Sequence, residues 1–104
     1  MAIYWVSGDV NRALGCTLYD DGVVVDLTAV DAIECHQVDS TTEVATIITG
    51  LSGDANGAVV TTFTAALVAG RYTLEWQTTT GTSITTYPGQ GSTRPVLIVR
   101  EESD

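Results

Sequence analysis

At 104 residues the chain has the length of one domain, and its 13 acidic residues face only four arginines and no lysine, for a formal charge of −9. A nucleic-acid partner needs a basic stripe to displace counterions, and an anionic membrane surface repels such a chain, so neither is expected; proteins, sugars or cations remain. No run approaches the roughly 18 apolar residues of a membrane span.

"MAIYWVSGDVNRALG" lacks the basic and apolar regions of a leader peptide. Cys16 and Cys35 are too few for a secreted disulfide framework. The expectation is a protein made and kept inside a cell, or carried out on something larger.

In chain order, "AIYWV" is uncharged and precedes the polar "SGD". Residues 1–7 read in two ways. They form an edge strand that closes the domain, or an apolar arm whose Ile3, Tyr4, Trp5 and Val6 dock on a neighbouring subunit, as exposed apolar patches tend to do. "RALGCTLYD" alternates Leu14, Cys16 and Leu18 on one face, which is strand periodicity. "DDG" turns the chain, and Val23 and Val25 are expected inside with Val24 outside. Asp26 and Thr28 have short side chains that bond nearby backbone amides and end the strand, so "DLT" is a corner and its acid is structural.

"DAIECHQV" is a second alternating strand, with Ile33 and Cys35 on one face. "TTEVATIIT" is a third, closed by the loop "GLSGDANG", and "AVVTTFT" follows. "AALVAG" has room for a short turn of helix. In "RYTLEWQTT", Tyr72, Leu74 and Trp76 share the core face. "TGT" makes a hairpin turn, "SITTYP" returns, and "GQGSTRP" is a loose loop. "VLIV" is the final strand, and residues 100–104, "REESD", are a solvated tail. Thr and Val are abundant and helix signals nearly absent. The sum is all-β: one antiparallel β-sandwich, residues 1–104, of about seven to eight short strands with turns every 8 to 12 residues or so.

Candidate chemistry is thin. Cys35 and His36 are neighbours in a strand, so they point to opposite faces and cannot pair as nucleophile and base. Both cysteines fall on apolar faces and read as buried thiols, with a disulfide open only if their strands are neighbours. Two cysteines and one histidine fall short of a zinc site. "GQGST" is not a nucleophile elbow.

Asp54, Asn56 and Gly57, or Asp20 and Asp21, lack the converging oxygens that calcium needs, and a turn is the simpler use for them. Trp5, Trp76 and Tyr87 are the candidates for a sugar-binding platform. Core packing is the first reading for Trp76, and Tyr87, before Pro88, is expected partly exposed. No catalytic, cofactor or metal residue is assigned.

"VAGRYTLEW" is a second corner. In immunoglobulin-like sandwiches a Gly-x-Tyr near the start of a late strand sets the tyrosine hydroxyl against upstream backbone, and Gly70 and Tyr72 have that spacing. The cysteine of antibody domains is replaced here by Leu74.

The run "GDVNRALGCTLYDDGVVVDLTAV", then "GDANGAVV", "LVAGRYTLEW", "YPGQG" and "PVLIV", spanning roughly residues 8 to 99, resembles the immunoglobulin-like N-terminal domain of phage baseplate upper proteins, found also in other small phage structural proteins. The resemblance implies an immunoglobulin-like β-sandwich that builds part of a virion without catalysis or cofactor. In baseplate proteins this domain begins a longer chain. A domain ending at Asp104 is expected instead to be a small head-associated accessory or decoration protein, with a neck, tail or baseplate adaptor next. Its partners would be other virion proteins, such as capsid, neck or tail subunits, in many copies on a symmetric particle assembled in the host cytoplasm. The alternative from another class is a carbohydrate-binding or adhesion module.

Overall fold

The structure is a computed structural model and describes residues 2–20, 22–88 and 95–101. These residues hold ten strands and no helix. They are β1 (Ala2–Val6), β2 (Arg12–Thr17), β3 (Tyr19–Asp20), β4 (Val23–Val24), β5 (Ala32–Asp39), β6 (Ala45–Leu51), β7 (Ala58–Phe63), β8 (Gly70–Thr80), β9 (Ser83–Tyr87) and β10 (Val96–Arg100). The large sheet runs β1-β10-β8-β5-β6, with β9 also on β8; β2 pairs β7 in a separate ribbon, and β3 pairs β4 in a hairpin.

The sheet is organised by β8. One of its edges pairs with β5 from Tyr72 to Thr79. Its other edge is shared, β10 taking Gly70–Thr73 and β9 taking Trp76–Thr80. Period-two alternation sends Leu74, Trp76 and Thr78 of β8 inward, opposite Val59, Thr61 and Phe63 of β7, and all six are buried. Ile33 and Cys35 of β5, and Leu97 and Val99 of β10, complete the sheet's side of the core. Leu14, Cys16 and Leu18 do share a face against that core; Leu18 is fully buried and the other two partly so.

The all-β expectation holds, with five corrections of detail. The sheet is not purely antiparallel, because β1 runs parallel to β10, with Ala2 beside Val96 and Val6 beside Arg100. That contact joins distant parts of the chain and leaves no local trace in the sequence. The strand number is ten rather than seven or eight, because the "DDG" turn carries a two-residue strand on each side and "AIYWV" takes the edge-strand reading of its two.

Val23 is 66% exposed rather than inward, since among the described residues β3 and β4 pair only with each other. "AALVAG" holds no helical turn. Its backbone bonds elsewhere: Leu67 N–H donates to Asp9 O and Gly8 N–H donates to Leu67 O, which fixes Leu67 in the core.

Residues 89–94, most of the expected "GQGSTRP" loop, and residues 102–104 of the tail lie outside the described residues. Arg100 belongs to β10 rather than to a tail.

Candidate functional site

Four aspartates of this chain accept hydrogen bonds from backbone amides. Asp26 Oδ1 accepts from both the N–H and the hydroxyl of Thr28, at 2.9 and 2.6 Å, and these bonds hold its carboxyl below the usual aspartate range. Asp39 Oδ1 accepts from Thr41 and Thr42 N–H, and Asp31 Oδ2 from Gly81 N–H. Asp54 Oδ1 accepts from Asn56 and Ala58 N–H, so the "GDANG" acid closes a turn. Gly57 in that turn has φ +78°, and a Cβ there would stand 2.8 Å from Leu18 O, so only glycine fits. Among the described residues no three His, Cys, Asp or Glu side chains gather to hold a metal ion.

At the second corner, Tyr72 OH donates to Val68 O at 2.8 Å, and the Tyr72 ring lies over Gly70. Burial, then the Asp39 charge, pushes the phenol up from its ordinary value. Leu74 and Trp76 follow in the core, where Trp76 Nε1 donates to Thr61 Oγ1 at 2.9 Å.

Cys35 is buried and His36 projects from the opposite face, where its Nε2 lies 2.8 Å from Glu34 Oε1. Cys16 and Cys35 are both free. Burial pushes Cys16 up to about 11; burial and the neighbouring Cys16 push Cys35 up to about 12, against the hydroxyl of Thr61. Such thiols are not nucleophiles near neutral pH.

The N-terminal residues divide by face. Ile3 and Trp5 turn inward, and Trp5 is 7% exposed, edge-on to Phe63 with ring centroids 5.3 Å apart and with Arg12 Cζ 4.8 Å from its ring centre. Tyr4, at 60% exposed, and Val6 face solvent. Residues 2–6 are thus held in the sheet by the β10 ladder. Tyr87 is buried, against the expectation of partial exposure, because its ladder partner is Trp76 and the two share the core face. All three candidate platform aromatics, Trp5, Trp76 and Tyr87, are therefore core residues.

One feature has no counterpart among the sequence candidates. Among the described residues the ribbon has two strands, and it covers the inner face of β6 only in part, with Ile48 and Leu51 half-buried against the core. A cleft of about 940 Å³ opens there, floored by Ile48 and Leu51 and walled by Phe63, Leu67 and Tyr72. Along it runs β6, an edge strand. The signal was present in "VATIITGL", a run of eight residues without a charge or proline. Its β-propensity alone does not distinguish an edge from a centre.

Comparison with known protein families, with curated proteins and with solved structures finds no match.

Proposed function

We propose that this chain is an immunoglobulin-like β-sandwich serving as a non-enzymatic structural protein of a tailed bacteriophage particle, most simply a head-associated accessory or decoration protein. The observation that carries the fold assignment is the Tyr72 hydroxyl on Val68 O, four residues upstream, in a strand whose next inward residues are Leu74 and Trp76. The layering supports it too. β2 and β7 form one layer, while β10, β8 and β5 adjoin in the other with β1 parallel at the edge. The virion role comes from the resemblance of residues 8 to 99. The spending of Asp26, Asp31, Asp39 and Asp54 on turns and the inertness of both thiols favour docking over chemistry.

The mechanism is surface burial on repeated subunits. A specific contact would cover roughly 800 Å² on each partner, and symmetry multiplies it. The test is copy number in purified particles, by quantitative mass spectrometry against the major capsid protein. A simple fraction of the capsid subunits supports the head role. A few copies matching the tail's rotational symmetry would move the protein to the neck, tail or baseplate. Absence from particles would overturn the virion reading.

A further inference from the structure

Among the described residues β6 ends the large sheet, with no strand on its outer edge. Asp39 N–H donates to Val44 O, and the register continues through Gln37/Thr46 and Cys35/Ile48, so these are the hydrogen-bonded pairs of the β5–β6 ladder. The N–H and C=O groups of Ala45, Ile47 and Thr49 therefore point away from β5. Among the described residues they have no hydrogen-bond partner. The edge carries neither charge nor proline along Ala45–Leu51, and Ile47 is 51% exposed. The bulge between the Cys35 and Ile33 pairings, where Gly50 takes φ +74°, comes only at its far end.

Cleft and edge define one occupant. A strand added beside β6 would send alternate side chains inward, into the cleft over Ile48, Leu51 and Phe63. The same strand would satisfy the backbone of Ala45, Ile47 and Thr49.

Charge selects its composition. No lysine or arginine stands between Arg12 and Arg71, where eight of the thirteen acids fall. Asp39 and Glu43 precede the edge and Asp54 follows it. A second copy would bring like charges to both ends, whereas basic flanks would be attracted.

We infer that β6 docks an extended segment of a partner protein by strand addition, and that this segment has an uncharged, alternately apolar middle of about seven residues with lysine or arginine on both flanks. The inference rests on the docking reading above and adds which edge docks and what it takes.

The test uses two labelled synthetic peptides with an alternating valine–threonine middle, one flanked by paired lysines and the other by paired glutamates. Fluorescence anisotropy should show the lysine-flanked peptide binding the full chain, with the glutamate-flanked one at least about tenfold weaker. Amide exchange on the unaltered protein should slow at residues 45, 47 and 49 on binding, while 46 and 48, already bonded to β5, change little. Ile47→Pro removes a donor that β5 does not use, and it should abolish binding.

No binding, equal binding of both peptides, or protection elsewhere would overturn the inference. So would protection of the same three amides when the protein alone is concentrated, which would make a second copy the occupant. Peptide binding by a chain absent from particles would overturn the virion role and leave this inference standing.

Discussion

The indole nitrogen of Trp76, on the large sheet, donates a 2.9 Å hydrogen bond to the hydroxyl of Thr61 on the ribbon, and both residues are buried. This bond joins the two layers at a point where water does not reach. Thr61→Val keeps the shape but orphans the indole N–H, and should cost about 1–3 kcal/mol in urea unfolding. Thr61→Ser keeps an acceptor and should cost less. Adding Trp76→Phe to Thr61→Val should cost less than the two single losses summed. Full additivity would mean that the bond contributes nothing.

Gly70 and Tyr72 form a coupled pair. Tyr72→Phe loses the bond to Val68 O and should cost about 1 kcal/mol. A methyl group at Gly70 would stand 3.2 Å from the Tyr72 oxygen and 3.3 Å from Cζ, so the ring must shift. Gly70→Ala should therefore cost more with Tyr72 present than in the Phe variant, and equal costs would break the link. The folded state holds the phenolic proton more tightly than the unfolded state does. Its contribution is full below the ordinary phenol range and declines as pH rises past about 10. The Phe variant should lack that part of the alkaline loss.

Cys16 and Cys35 should resist a thiol reagent at pH 8 and react together on unfolding. Their raised values, about 11 and about 12, mean that the folded state favours the neutral thiols. This stabilisation is complete below the unfolded thiol range and is lost as pH climbs through the folded values. Rapid labelling of Cys35 in the native protein would contradict its burial.

Trp5→Ala should cost about 3–5 kcal/mol, the range for a large core side chain. Its neighbour Tyr4 faces solvent, and Tyr4→Ala should fall within about 0.5 kcal/mol of the parent in thermal melts. A chain lacking residues 2–6 should be destabilised more than Trp5→Ala, because the β10 ladder is lost as well. A truncated chain of unchanged stability would mean that β1 is an appendage.

Alternation made the core of β8 readable, since Leu74 and Trp76 sit at a spacing of two with polar residues between. The "DLT" corner was readable because Asp26 needs only its own neighbour Thr28. Failures came where distant backbone decided. "AALVAG" has helix-compatible composition, yet the bonds between Leu67 and residues 8 and 9 hold it extended. Val23 carries an apolar side chain, but among the described residues the β3–β4 hairpin pairs with no further strand and leaves it exposed. The β6 edge leaves the least trace in the sequence. "VATIIT" is legible as a strand, but its position beside an incomplete ribbon depends on how all ten strands assemble.

The parallel pairing of β1 with β10 also sets an order of events. Trp5 needs Phe63 beside its ring and Val99 across the ladder, and Val99 belongs to the last strand described. Ribosomal synthesis that has reached only Tyr87 has made Arg12 and Phe63 but not Val99, so the Trp5 pocket is still half built. Closing so long a loop is among the costliest contacts in entropy, and topologies of this kind fold slowly. Until β10 arrives, β1 has no ladder to join, and Trp5 remains within reach of a chaperone.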